Sequence, residues 1–165
     1  MVNDVDPPAP ELAQEAQELL SCAFYYLSRS DWEMARDTAI EARDLFDELN
    51  LAGESAEARL LIGFIDYEQG EAKAALPMLA SAQQQFSMIG HKHKQCATLY
   101  LLAHCHLKLA KPGKALYALK MAHDIGHSAE IVEADLGGFI PKLADLRLFI
   151  DSLMTELASH HKPDI

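Results

Sequence analysis

A chain of 165 residues, half of them apolar, is long enough for one ordinary domain and can bury a core, which excludes a disordered protein. Its net charge of −11 argues against a general nucleic-acid binder, because affinity for phosphate rests largely on Lys and Arg. No uninterrupted apolar run approaches the roughly 20 residues a membrane helix needs, and the opening MVNDVDPPAPE lacks the basic and apolar segments of a secretory signal. Cys22, Cys96 and Cys105 are scattered, with no CxxC, and read as small hydrophobes of a reducing compartment; the expected address is cytoplasmic.

In chain order, residues 1–9 predict a flexible tail, broken by Pro7, Pro8 and the neighbouring Pro10. A first helix is expected from near Glu11 to Ser28, a turn at Arg29-Ser30-Asp31, and a second helix from Trp32 to about Leu49. That second helix carries Ala35, Ala39, Ala42, Phe46 and Leu49 on one face. Gly53 lies in the break that follows. The third helix is expected over Ser55 to Gln69 and the fourth over Glu71 to Ile89, with Pro77 inside it as a kink or a lost hydrogen bond. The fifth spans Lys94 to Leu109 and the sixth Gly113 to Ile125, with Gly126 as its stop. Ser128 to Ile140 holds one possible helical turn. The last helix, Pro141 to His160, lines Leu143, Leu146, Ile150, Leu153 and Leu157 along one stripe.

The stretch LLIGFIDYEQGEAKAALPMLASA, Leu60 to Ala82, sets the pattern, for its phrase recurs 40 residues before and 40 after. Ala35, Ala75 and Ala115 share one place in it, and Ala42, Ala82 and Ala122 another. Ala23, Gly63 and Ala103 form a third such set in the first helix of each copy. A helical hairpin repeated at a fixed period cannot bury its apolar face alone, so neighbouring copies must stack. Small residues at fixed places allow the close helix approach this needs.

These residues resemble the tetratricopeptide repeat, over roughly residues 13–126. The turn residue is Ser30, Gly70 and Ala110, and the residue after it Trp32, Ala72 and Pro112. Two departures stand out. The period is 40 where the family's commonest is 34, as in long-helix variants of bacterial regulators and scaffold proteins, which LFDELN and QFSMIG resemble. The aromatic usual late in the first helix is Tyr26 in copy one but Asp66 and His106 in the others; an Asp66–His106 contact and outward rotation into solvent are both open.

The resemblance implies an all-α, right-handed superhelix of three hairpins (about 13–52, 53–92 and 93–127) with a capping helix over 141–160. It also implies a concave face lined by the first helix of each copy. By the family's register the groove residues are Gln17, Leu20, Phe24, Leu27 and Ser28; then Glu57, Leu60, Phe64, Tyr67 and Glu68; then Ala97, Tyr100, His104, Leu107 and Lys108. Such an apolar and aromatic ladder suits an amphipathic helix or extended peptide of another protein, unless the chain's own terminal segments fill it. The size and three-copy layout look like the bacterial type III secretion chaperones, which use the shorter period.

Charge is unevenly laid out. Residues 1–60 hold four Arg and no Lys against fourteen acidic groups, whereas Ala72 to His123 holds seven Lys and no acidic group. Besides solvated helix faces, this gradient allows head-to-tail self-assembly of the acidic first copy on the Lys-rich third. The last helix offers a second route to a homodimer, since Leu148, Phe149 and Met154 widen its apolar surface beyond one stripe.

No enzyme is expected: GxSxG, P-loop, GxGxxG and HExxH are all missing. No metal site or other cofactor is expected either. His104 and His106 point to different helix faces, His91 and His93 fall in a loop, and His160-His161 in the tail. His123 and His127 have i,i+4 spacing, but Gly126 intervenes as the expected stop.

Overall fold

Every twenty residues the chain leaves the helical conformation in the same way. Ser30, Asn50, Gly70, Gly90 and Ala110 each have a positive φ, between 54° and 84°. At each, two backbone bonds close the end of the preceding helix. Ser30 N–H donates to the Leu27 carbonyl and Asp31 N–H to that of Tyr26, and the pair recurs at Asn50 and Leu51, Gly70 and Glu71, Gly90 and His91, and Ala110 and Lys111. This is the Schellman arrangement, which satisfies carbonyls otherwise orphaned at a helix end. The next helix begins immediately afterwards. Asp31, the second residue of its turn, is also the N-cap of the following helix, accepting from Met34 N–H at 3.2 Å.

The computed structural model describes residues 9–128 and 143–160, and its elements there are all α-helices. They are α1 (Ala9–Ser28), α2 (Trp32–Glu48), α3 (Ala52–Glu68), α4 (Ala72–Met88), α5 (Lys92–Lys108), α6 (Pro112–Ser128) and α7 (Leu143–His160). Among these residues no helix is long and apolar enough to cross a membrane. Of the tail expected over residues 1–9, Ala9 belongs to α1 and residues 1–8 lie outside the described residues, as do 129–140 of the Ser128–Ile140 stretch and the Pro141 start of the last helix.

The starts of α3 and α5 fall two to three residues earlier than the sequence predicts, because no linker separates the Schellman turn from the next N-cap. Pro10 belongs to the first turn of α1, where its missing N–H costs nothing, and not to the tail. Pro77 is exposed, and α4 continues through it to Met88. Gly126 is not a stop: α6 runs on to Ser128 with Gly126 buried inside it. It stands at the place of Phe46 and Phe86, one helical turn before the end the twenty-residue period dictates. A glycine ends a helix only where the turn requires a left-handed residue.

The helices pack in sequence order, each on the next, from α1 to α6, and α7 lies against α6 and α5. Two apolar clusters result. One joins α1, α2 and one face of α3 through Leu20, Phe46, Leu61 and Ile65. The other joins the opposite face of α3 to α4, α5, α6 and α7 through Leu60, Leu79, Phe86, Leu119 and Ile150. Being sandwiched makes α3 apolar nearly all round. The three sets of small residues lie in these seams, with each alanine among them fully buried. The last helix docks by Ile150, with Leu153, Met154 and Leu157 beside it, while Leu148 is exposed. This packing is that of a cap on the second cluster.

Ala110 carries a φ of 54°, a conformation in which a side chain costs roughly 1–2 kcal/mol. Gly70 and Gly90 occupy the same place at two other turns. We expect Ala110→Gly to stabilise the fold by about 0.5–1 kcal/mol, after the extra unfolded-state entropy of glycine is deducted. A urea titration reads this as a higher midpoint at unchanged slope; a lower midpoint would mean that the methyl group makes contacts outweighing the strain.

Candidate functional site

The residues expected to line a groove divide into three groups. Leu20 and Leu60 are corrected to core: they are 1% and 2% exposed and are among the largest fully buried side chains. Ala97 is also buried. Leu60 and Ala97 face a neighbouring helix because α3 and α5 each lie between two partners, which widens the buried stripe beyond what one apolar face implies, and Leu20 packs into the first cluster. Gln17, Ser28 and Glu68 are exposed at the surface, while Phe24 and Leu27 are half-buried against the first cluster. The third group meets in space.

Tyr67 in the last turn of α3 and Tyr100, His104, Leu107 and Lys108 along α5 form one patch. The His104 ring stands edge-on to Tyr100 at 4.5 Å and to Tyr67 at 6.0 Å. Lys108 Nζ sits 3.8 Å above the centre of the Tyr67 ring and donates to the Tyr67 carbonyl at 3.1 Å. It thus caps the C-terminal end of α3 while making a cation–π contact. Residues 40 apart are neighbours here because successive first helices, α3 and α5, lie side by side. Phe64, one turn before Tyr67, is half-buried.

Burial sets the chemistry of this patch. It pushes the His104 imidazole below its usual range, and the Lys108 charge pushes the same way, so His104 is held neutral. Its Nε2 is buried and has no hydrogen-bond partner among the described residues. Burial raises the phenols of Tyr67, helped by Glu68, and of Tyr100. The Cys105 thiol behind them is pushed up to about 11, also by burial, so it is a structural thiol and no nucleophile. In the first halves of the same two helices Glu57 of α3 forms an ion pair with Lys94 of α5. Lys94 is only 8% exposed, and burial pushes its ammonium down while Glu54 opposes the shift.

Asp66 makes neither the His106 contact nor the outward turn that the sequence leaves open. It is buried and accepts a fork from Arg36 of α2, 2.6 Å from Nε and 3.4 Å from Nη2. The signal was present: Arg36 stands where the other copies have Leu76 and Leu116, so a cation and an anion each interrupt an apolar place in adjacent helices. The same α2–α3 seam carries a second bridge, Arg59 Nη2 to Asp47 Oδ2 at 2.6 Å, with Ser55 between them. Burial pushes the Asp47 carboxyl up, but the hydrogen bonds from Arg59 and Ser55 outweigh it and hold the group below its usual range.

His106 instead lines an apolar cleft of about 410 Å³ flanked by α4 and α6. Leu99 and Leu102 of α5 and Tyr117, Ala118 and Met121 of α6 complete most of its wall. Sequence reasoning missed it, because its walls come from three helices. Sequence reasoning also set aside the pairing of His123 with His127, which the uninterrupted α6 places on one face, near Asp151 of α7.

Fold and patch together define an all-α array of helical hairpins that presents an aromatic and basic surface along its first helices. Comparison with protein-family models and with characterised proteins finds no match for the chain.

Proposed function

We propose that the chain is a binding module of the tetratricopeptide-repeat type, an adaptor or chaperone rather than an enzyme. It holds an amphipathic helix or peptide of another protein against the α3–α5 face. The observation that carries this reading is the Tyr67–Tyr100–His104–Lys108 patch. Three rings with edge-on contacts and one cation offer apolar surface with a polar handle, the combination that anchors peptides. Acidic residues on the ligand suit Lys108, which can leave the Tyr67 carbonyl at little cost because it is exposed.

The test is a selection of amphipathic peptides on the purified protein, followed by affinity measurement on variants. Tyr67→Ala and Phe64→Ala should each weaken a selected peptide by about 10-fold or more while leaving the circular-dichroism helix signal intact. Peptides that bind both variants as tightly as the wild type would move the site elsewhere. A Phe64→Ala protein that unfolds would place Phe64 in the core and limit the face to Tyr67 and α5.

The second reading is self-assembly. It is favoured by the surface distribution of charge: Lys73, Lys92, Lys108, Lys111, Lys114 and Lys120 are all exposed on α4–α6, opposite in sign to the acidic α1 and α2. Light scattering separates the two, since head-to-tail growth appears only at low salt and rises with concentration.

A further inference from the structure

We propose that His123 and His127 of α6 and Asp151 of α7 form a site for a borderline divalent transition-metal ion, with Zn²⁺ the natural occupant, and that the ion pins α7 to the array. The ligand atoms of the three side chains all lie within 4.8 Å of one another. His123 Nε2 is 3.8 Å from Asp151 Oδ1, and His127 Nε2 is 3.9 Å from Asp151 Oδ2. These distances are too long for direct hydrogen bonds. They are close to the separation of about 3.3 Å between ligands held tetrahedrally at zinc's bond lengths. A contraction of roughly half an ångström brings each His–Asp pair to that value, and the widest separation in the set, within 4.8 Å, closes by up to roughly 1.5 Å; rotamer adjustment of half-exposed side chains supplies both.

Three further features favour an ion over a bare cluster of polar groups. The two imidazoles are one helical turn apart on one face, and their rings approach to 4.4 Å. The second nitrogen of His123, Nδ1, lies 3.2 Å from Asp124 Oδ1. Because a carboxylate only accepts, that contact favours the tautomer with Nδ1–H bonded to Asp124 and the Nε2 lone pair free toward Asp151, the carboxylate–histidine support found behind metal ligands. Finally, Asp151 is anchored: it follows Ile150, which is 2% exposed and docks α7 on the core. The donor set, two imidazoles and one carboxylate, suits zinc and its neighbours and not calcium or magnesium.

The place in the fold says what the ion would do. Two periods earlier, eighty residues back, the position of His127 is Asp47, which bridges α2 to the following helix through Arg59. At the α6–α7 seam, among the described residues, two histidines face an aspartate, and a metal ion supplies the bridge. One coordination position stays open to water or to a ligand from a partner.

The full chain, freed of metal with a chelator, is titrated with Co²⁺ and then Zn²⁺. We expect one equivalent of Co²⁺ to produce a visible absorption band that Zn²⁺ removes. His127→Ala and Asp151→Asn should each weaken binding by about 10-fold or more, and Asp124→Ala by less. Zn²⁺ should slow amide exchange in α7 in the wild type and leave it unchanged in Asp151→Asn. All three variants alter exposed side chains, so unchanged helix content in the apo form excludes misfolding. Binding that survives His127→Ala and Asp151→Asn, or that disappears in Cys22→Ser instead, would overturn the site. So would the failure of millimolar Co²⁺ to develop the band.

Discussion

Gly63→Leu should abolish cooperative folding. A Cβ added at Gly63 falls 2.6 Å from both Cγ and Cδ2 of Leu79, with the Ala75 carbonyl at 3.5 Å. Leu79 and Ala75 are fully buried, and the atoms struck include the branch point of the leucine as well as one of its methyl groups. The side chain cannot swing clear without forcing α3 away from α4. Ala103 and Leu119 stand in the corresponding places of the third hairpin, so a single methyl group can be absorbed by a small backbone shift. Gly63→Ala should therefore cost about 1 kcal/mol, at the low end of overpacking, and the three further carbons of leucine well over 3 kcal/mol. A domain of this size has only about 5–15 kcal/mol in hand. Thermal melts followed by circular dichroism separate the outcomes. A Gly63→Leu protein that melts within a few degrees of the wild type would show that α3 and α4 are further apart than the structure has them.

Arg36→Ala should destabilise the protein by about 1–3 kcal/mol. Asp66 is 4% exposed and sits in the last turn of α3, where the helix dipole disfavours an anion. Among the described residues of α2 the Arg36 fork compensates it, and the hydrogen bond that Arg36 donates to Asp66 in turn raises the guanidinium pKa. Removing one member of a fully buried pair costs about 3–5 kcal/mol. The Arg36 side chain is 40% exposed, so water can enter its place and reduce that figure. The double variant Arg36→Met/Asp66→Leu should recover most of the loss, since apolar groups of similar volume replace a buried pair at little cost. Urea unfolding of the four proteins gives the coupling directly. A single-variant loss below about 0.5 kcal/mol would reduce the pair to an ordinary surface bridge.

The elements of this fold are legible in the sequence because their causes are local. Apolar spacing, small residues at a fixed period and left-handed turn residues act within a few positions of one another. The helix count and the three hairpins follow from them, and so does the burial of Ala23, Gly63 and Ala103. Even the error at Gly126 was a local one: glycine was read as punctuation where the twenty-residue spacing of Ser30, Asn50, Gly70, Gly90 and Ala110 already places the stop later. The recognition surface was only partly legible. Tyr67, Tyr100, His104 and Lys108 do meet, because residues one period apart in stacked helices are neighbours. Leu20 and Leu60, in the same register, turn inward.

What the sequence by itself determined is the run of α-helices, their ends and the small-residue seams along which they meet. What only the tertiary structure decided is which polar groups find each other across those seams. Arg36 reaches Asp66 thirty residues away, Lys94 reaches Glu57, and Asp151 is brought to His123 and His127 by the docking of Ile150. No period relates these partners. Their meeting depends on how the helices cross and on which rotamers the packed seam leaves open, and both are set by the whole array.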